Sequence, residues 1–229
     1  MKTVDQGIIL QRRTYSETSL IVKAYTRSGG LQSFIFKGGK KKAHGIFPCS
    51  LSELEFYDRN ESDLLHLTSV SNYESLDFPF DPVRGTIAFF IAEVIQKCVH
   101  PNEPDKPLYA FVENAIKELN SLENVRHFPV GFLFQLSNHL GVQPQVIHPE
   151  GMYFSLEDGL IDQHGHRAIH AETGEGVRLI RSLAQHHEIS ASREAREHAL
   201  QILLRYLQFH IPGFTHPDSY DIVREVLHD

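Results

Sequence analysis

The hydrophobic period changes once along this chain, near residue 80, and this change limits the fold more than any other feature. Before it, short runs of β-branched and aromatic residues alternate with polar or Gly-containing breaks, a pattern typical of strands. After it, apolar residues recur at helical spacing. The segment LDFPFDP, residues 76–82, marks the change, and its two prolines stiffen the connection. The sequence therefore predicts a β domain over residues 1–79 and a mostly helical domain over residues 80–229.

Five strands are predicted in the first domain, at GIILQRR, SLIVKAYT, LQSFIFK, SLSELEFYD and DLLHLTSV. Short strands at such regular spacing favour a small barrel or sandwich. In the second domain, the spacing predicts helices over residues 83–98, 107–122, 125–140, 176–185, 192–210 and 219–227. Residues 142–170 read as an irregular region with a short hairpin formed by MYFSL and LIDQ. The fold class is α+β with two domains.

Positive charge is concentrated at the N-terminal end of an acidic chain. The first 45 residues carry nine Lys and Arg against two acidic residues, a net charge of +7, whereas the remainder carries −14. The densest cationic stretch is FKGGKKKAHG, residues 36–45, which contains four lysines and no acid. Its glycines predict a flexible loop that follows a ligand closely. A basic end on an acidic body indicates that this region binds a polyanion.

The same region carries the side chains that binding to single-stranded DNA requires. Cations meet phosphates, and exposed aromatic faces stack on unpaired bases. Tyr15, beside a polar turn, is the best candidate for stacking, whereas Phe34 and Phe36 share one strand face and fit the barrel interior at least as well. Contacts of this kind give little base specificity. The predicted DNA-binding residues are Arg12, Arg13, Tyr15, Lys23, Arg27, Lys37, Lys40, Lys41 and Lys42.

Three N-terminal motifs, YSETSL at residues 15–20, TRSGG at 26–30 and KGGKKK at 37–42, resemble the bacterial recombination mediator family RecO. The C-terminal stretch RYLQFHIPGF…SYDIVREVL resembles the end of that family. The resemblance implies an OB-fold barrel, whose second and third strands form an oligonucleotide-binding face, followed by a helical domain. It also implies binding of single- and double-stranded DNA, strand annealing, and loading of the RecA recombinase onto strands coated with single-strand-binding protein. RecR is a further implied partner.

Many members of that family carry a four-cysteine zinc site in the region that corresponds to residues 144–170. This stretch contains no cysteine here, so a thiolate zinc site is excluded and no metal or other cofactor is predicted. The hairpin must then be held by side-chain packing. The candidates for this packing are Tyr153, Phe154, Leu156, Leu160 and Ile161.

The resemblance further implies a hydrophobic pocket in the helical domain that receives the acidic C-terminal tail of single-strand-binding protein. A basic residue should stand beside such a pocket to meet the carboxylates of the tail. Arg84 and Arg126 are the basic residues near the first and third predicted helices, and they are therefore the candidates.

Two alternative functions remain open at this stage. One is a protein–protein adaptor of the same fold that has lost DNA binding. The other is a His-metal hydrolase that uses residues 148–170, where His164, His166 and His170 are possible metal ligands, as is the pair His186 and His187. The sequence contains neither HExxH nor GxSxG, so a non-enzymatic protein without catalytic residues is the prediction.

The sequence also bears on localisation. Its apolar runs are shorter than the roughly 18 residues that span a membrane, and its N-terminus lacks the apolar core of a signal peptide. These observations predict a cytoplasmic protein with no membrane partner, and the DNA binding that the resemblance implies adds an association with the nucleoid.

Overall fold

The computed structural model describes residues 2–57, 64–164, 168–187 and 191–226. The chain divides into two compact units, residues 1–121 and 122–229. The first unit therefore contains the barrel together with two of the helices that the sequence assigns to the second domain.

The first unit is built on a closed barrel, which confirms the predicted small β-barrel. Its strands follow the order β1-β2-β3-β5-β4, and all neighbours are antiparallel except β3 and β5, which are parallel. The strands are β1 (Lys2–Thr14), β2 (Leu20–Thr26), β3 (Gly30–Phe36), β4 (Leu51–Tyr57) and β5 (Leu64–Asn72).

The first strand begins earlier than the predicted run GIILQRR, which starts at residue 7. Lys2 pairs with Tyr57, and the pairing with β4 continues to Ile8. Val4 within this extension is 54% exposed, so the segment shows no apolar alternation of its own. The early start of β1 depends on a partner about 50 residues away, which no local pattern reveals.

Alternate residues of β2 and β3 fill the barrel. Val22, Phe34 and Phe36 belong to the buried core, and the ring of Phe34 meets Phe56 edge-on at a centroid distance of 5.1 Å. The shared strand face expected for Phe34 and Phe36 is therefore the interior one. Tyr25 is buried on the outer face of β2, where its hydroxyl donates a hydrogen bond to the carbonyl of Asp105 at 3.1 Å.

Two helices complete the first unit, α1 (Pro82–Cys98) and α2 (Lys106–Ser121). Asp81 caps α1, because its Oδ1 accepts hydrogen bonds from the backbone N–H groups of Val83 and Arg84. The buried Sγ of Cys49 donates to the carbonyl of Ala88 at 3.1 Å and so joins the barrel to α1. The barrel and α1 are in direct contact through this pair.

The second unit combines helices with a small sheet. The helices are α3 (Phe128–His139), α4 (Glu175–Ala184), α5 (Arg193–His210) and α6 (Tyr220–Val226). The sheet has the order β6-β8-β7-β9, with β6 (Gln145–Val146), β7 (Tyr153–Ser155), β8 (Leu160–Asp162) and β9 (Ala171–Glu172). Strands β7 and β8 form the predicted hairpin.

This sheet packs on α5 through aromatic side chains. Phe154 is fully buried and its ring lies 5.2 Å from that of Tyr206, whose hydroxyl donates to the carbonyl of Val142 at 2.6 Å. Leu156 and Ile161 are also fully buried. The other two residues expected to brace the hairpin behave differently, since Tyr153 is 38% exposed and Leu160 is only partly buried.

Candidate nucleic-acid interface

Strand register brings three chain segments together at one end of the barrel. Thr14, the last residue of β1, pairs with Leu20, and Leu20 pairs with Phe36 at the end of β3. The turn between β1 and β2 therefore lies beside the segment that follows β3. A hydrogen bond from the backbone N–H of Lys40 to the carbonyl of Thr18, at 3.3 Å, joins the two.

The lysine-rich segment forms a 3₁₀ helix, Gly39–Gly45, where the sequence predicted a loop. Gly38 adopts a φ of +68°, which turns the chain into the helix. Gly39 is buried against Phe36, and a Cβ atom there would lie 2.6 Å from that ring. These two glycines thus serve a turn and a close contact within the protein. Lys40, Lys41 and Lys42 are exposed on the helix.

Most of the predicted DNA-binding residues lie near this helix. Arg12 and Arg13 in β1 and Lys37 directly after β3 have exposed side chains at the same end of the barrel. Tyr15, in the turn after β1, is 63% exposed. Lys23 lies farther along the outer face of β2, opposite Gln11 and Ser33. We call the grouped cations the cationic end of the barrel, and its members are Arg12, Arg13, Lys37, Lys40, Lys41 and Lys42.

Arg27 is placed apart from this group. It follows the last residue of β2, and its guanidinium donates to Oε1 of Gln6 at 2.9 Å. The seven residues of β2 separate it from the cationic end by about 20 Å, at roughly 3.3 Å per residue. The carboxylate of Asp5 accepts hydrogen bonds from Ser28 close by. The structure therefore separates Arg27 from the other predicted contacts.

A second cationic site lies in the second unit, in a pocket with an apolar floor. Its charged lining consists of four guanidinium groups and one carboxylate, contributed by the segment before α3 and by α5 and α6. Among the residues that the sequence singled out, only Arg126 lines it. We call it the arginine pocket, and its lining residues are Arg126, Val130, Arg193, Arg196, Glu197, Leu200 and Arg224.

The electrostatics of the arginine pocket show an excess of positive charge. Burial lowers the pKa of Arg196, and the positive charges of Arg126 and Arg193 lower it further. Burial also lowers the pKa of His127, again with a contribution from Arg196. Arg224 lies 3.6 Å from Glu197, yet its buried Nε has no hydrogen-bond partner among the described residues. A carboxylate ligand would relieve these repulsions.

Arg84 occupies a different environment, in the first unit. Its guanidinium pairs with Asp81, and its Nε donates to the carbonyl of Leu119 at 3.2 Å. These contacts tie the start of α1 to the end of α2.

Sequence reasoning missed three of the four arginines of the pocket. Arg193 and Arg196 are one helical turn apart in SREAREH, which signals a common face of α5. Arg224 lies on α6, and only tertiary packing brings it to the pocket.

Two models of known protein families match this chain. A family model described as Recombination protein O N terminal matches residues 1–76, and one described as Recombination protein O C terminal matches residues 79–218. The chain belongs to the RecO family. The resemblance found in the sequence is thereby confirmed, and the two RecO models meet within two residues of the change in hydrophobic period.

Relatives named DNA repair protein RecO match nearly the whole chain. The protein from Christiangramia forsetii is 29% identical over 235 residues, which covers 96% of this chain and 97% of the relative. The protein from Phocaeicola vulgatus is 28% identical, with 98% of each chain covered. The protein from Flavobacterium psychrophilum is 25% identical, with 99% of each covered.

The zinc site of many RecO proteins does not fit the residues present here. Among the residues that the structure describes, no three His, Cys, Asp or Glu side chains are grouped so that they could hold a metal ion. His166 lies outside the described residues. His170 instead pairs with Glu157 through its Nδ1 at 2.6 Å. Within the described ranges, no helix has both the length and the apolar character needed to cross a membrane.

Proposed function

We propose that this RecO-family protein is a DNA-binding recombination mediator that acts in DNA repair without catalysing a chemical step. The observation that supports this proposal most directly is the cationic end of the barrel. There, strand register and a 3₁₀ helix group six exposed Lys and Arg side chains beside the exposed ring of Tyr15. The grouping supports binding to the phosphates of single- and double-stranded DNA without strong sequence specificity. Such a role belongs in the cytoplasm, at the nucleoid.

The cationic end also suggests how strands anneal. Two complementary strands repel each other through their phosphates, and a cationic surface that holds both lowers this repulsion. Lys40, Lys41 and Lys42 lie on consecutive positions of a 3₁₀ helix, so their side chains fan out around its axis. Positive charge is therefore spread around the helix, and a second strand can approach the surface that already holds the first. The proposed outcome of this strand binding is the loading of RecA, with RecR as partner.

The arginine pocket supplies the second part of the proposal. Its apolar floor and its excess of guanidinium groups suit the acidic C-terminal tail of single-strand-binding protein. Arg126 remains a proposed tail contact, and Arg196 and Arg224 join it. Arg84 is the weaker candidate, because its guanidinium already serves the contact between α1 and α2. Binding of the tail would hold the coated strand near this protein.

Fluorescence anisotropy of a labelled single-stranded oligonucleotide at low salt tests the proposal. We expect the wild-type protein to bind and the variant Lys40→Glu/Lys41→Glu/Lys42→Glu to bind at least tenfold more weakly, because three attractive charges become repulsive. A matched control carries the same reversals at the three lysines of α1 and α2, which are Lys97, Lys106 and Lys117. Annealing of complementary oligonucleotides should fall in parallel with binding. No binding by the wild-type protein at low salt would favour the adaptor function.

A further inference from the structure

An open groove on the first unit runs beside the cationic end. The sequence did not predict this groove. It is formed by the end of β1, the segment after the 3₁₀ helix, the end of β5 and the connection to α1. Its principal side chains are those of Arg12, Phe47, Asn72, Tyr73, Glu74 and Phe80. We call it the Phe80 groove.

The groove continues directly from the lysine-bearing helix. Gly45 ends that helix, and a Cβ atom at Gly45 would lie 3.6 Å from Nδ2 of Asn72 in the groove. The next two residues in the chain, Ile46 and Phe47, line the groove themselves. Arg12 belongs both to the groove and to the cationic end. A strand held by the lysines therefore reaches the groove without crossing any other element of the barrel.

Phe80 is presented to solvent by a fixed backbone. Its side chain is 91% exposed, whereas Phe78 two residues earlier is buried and meets Phe47 edge-on at 6.0 Å. The N–H of Phe80 donates to the carbonyl of Asp77 at 3.1 Å, and the N–H of Asp77 donates to Oδ1 of Asn120 at 2.8 Å. A single exposed apolar residue is ordinary on a protein surface. Here hydrogen bonds fix the backbone that carries the ring, and the ring stands at the edge of a groove that also contains an arginine.

The charges of the groove decide which part of a nucleic acid can enter it. Arg12 contributes one positive charge, and Glu74 contributes one negative charge. The two largely cancel, so the groove offers a phosphate no net attraction, in contrast to the cationic end. An uncharged base meets no such penalty, gains a stacking surface in Phe80, and finds the side-chain amide of Asn72, whose Oδ1 already accepts a hydrogen bond from Ser52. The hydroxyl of Tyr73 is engaged with that of Tyr109 at 3.3 Å.

We propose that the Phe80 groove is a binding site for an unpaired nucleobase, with the base stacked on Phe80 and the adjoining phosphates held outside the groove, at the cationic end of the barrel. This inference rests on the proposed DNA binding and adds a preference for single strands. A duplex keeps its bases stacked and paired, so it gains nothing from the groove. The cationic end then holds either form of DNA, and the Phe80 groove distinguishes between them.

Tryptophan fluorescence tests the stacking directly, because the chain contains no tryptophan. The variant Phe80→Trp carries a single reporter at the edge of the groove. Its emission should be quenched when a thymidine oligonucleotide is added and should stay unchanged when a blunt duplex of equal length is added. The matched control is Phe89→Trp, since Phe89 is also exposed, at 52%, but lies on α1 outside the groove. Its emission should not respond to either DNA.

Affinity measurements provide the second readout. Phe80→Ala should weaken single-strand binding by about 5- to 150-fold, the range expected for the loss of one stacked base, and leave duplex binding and the salt dependence unchanged. Phe89→Ala should bind like the wild-type protein. Wild-type affinity in Phe80→Ala together with unquenched Phe80→Trp would overturn the groove proposal alone. An equal loss for single strands and duplex would also overturn it. Absence of DNA binding by the wild-type protein would overturn both proposals.

Discussion

The proposed binding of single-stranded DNA predicts a definite salt dependence, set by the number of cations at the cationic end of the barrel. Each phosphate contact with a single strand contributes about −0.7 to the slope of log affinity against log salt concentration. Six contacts, one for each cation of the cationic end, give a slope of about −4. The variant Lys40→Gln/Lys41→Gln/Lys42→Gln removes half of these contacts and keeps the side chains polar and of similar length. Its slope should therefore be about −2.

These slopes predict a large difference over an easily accessible range. Between 50 and 200 mM salt, the wild-type affinity should fall by roughly 300-fold and that of the glutamine variant by roughly 20-fold. Anisotropy titrations with one labelled oligonucleotide at four salt concentrations measure both slopes. Glutamine is preferable to glutamate in this experiment, because a neutral residue removes a contact without adding a repulsion.

A control variant separates the local contacts from total charge. Lys97→Gln/Lys106→Gln/Lys117→Gln changes the net charge by the same amount but alters α1 and α2, and its slope should stay near that of the wild-type protein. Equal slopes for the wild-type protein and the variant with Lys40, Lys41 and Lys42 replaced would refute the assignment of these lysines to phosphate contacts. Equal reductions in both triple variants would show that charge acts only at long range.

Three further outcomes are expected. Arg196→Ala should weaken binding of the acidic tail peptide of single-strand-binding protein by about 10- to 100-fold in calorimetry, as for a lost charge-assisted hydrogen bond, whereas Arg84→Ala should not. Tyr206→Phe should lower the free energy of unfolding by about 0.5 to 1.5 kcal/mol in urea titrations, because the partly buried carbonyl of Val142 loses a hydrogen bond, and a chelator should leave the melting temperature of the wild-type protein unchanged. The hydrogen bond from His170 lowers the pKa of Glu157, so it stabilises the fold above the usual glutamate range, and Glu157→Gln should melt below the wild-type protein at pH 5.5, with a gap that narrows as the pH falls below that range.

Each of these expectations can fail in a specific way. Equal peptide affinities for Arg196→Ala and the wild-type protein would remove the arginine pocket from the proposal. A melting temperature that falls on chelation would mean that a metal, and not packing on Tyr206, braces the small sheet. A gap between Glu157→Gln and the wild-type protein that grows on acidification would contradict the sign of the pKa shift.

Most of the secondary structure follows from the sequence because its causes are local. The predicted helices agree with the observed ones within a few residues at each end, since helical periodicity, Asp81 as cap and Pro129 in a first turn are all properties of short segments. The 3₁₀ helix was missed because lysines and glycines carry no apolar period. Its first residue, Gly39, packs against Phe36, a contact that depends on the finished barrel.

The candidate site could also be predicted only in part from the sequence. The sequence shows how much charge the N-terminal region carries, but strand register decides which charges meet, and it separates Arg27 from the others. In the sequence, Phe80 belongs only to a stiff connection. Its exposure arises because Phe78 takes the interior position beside Phe47, and the intervening Pro79 limits the backbone between them. No periodic pattern indicates which of two phenylalanines in such a short turn faces water.

Helix α5 explains how this RecO chain can lack the cysteines that brace the same region in many relatives. Its C-terminal half carries Tyr206, which packs on Phe154 of the small sheet, and His210, whose Nε2 lies 2.8 Å from the carbonyl of Leu156. Its N-terminal half carries Arg193 and Arg196 of the arginine pocket. One rigid helix therefore holds the sheet at one end and positions the proposed tail-binding cations at the other. Packing on α5 can replace the mechanical role of a metal because the helix is already fixed by α3 and α4.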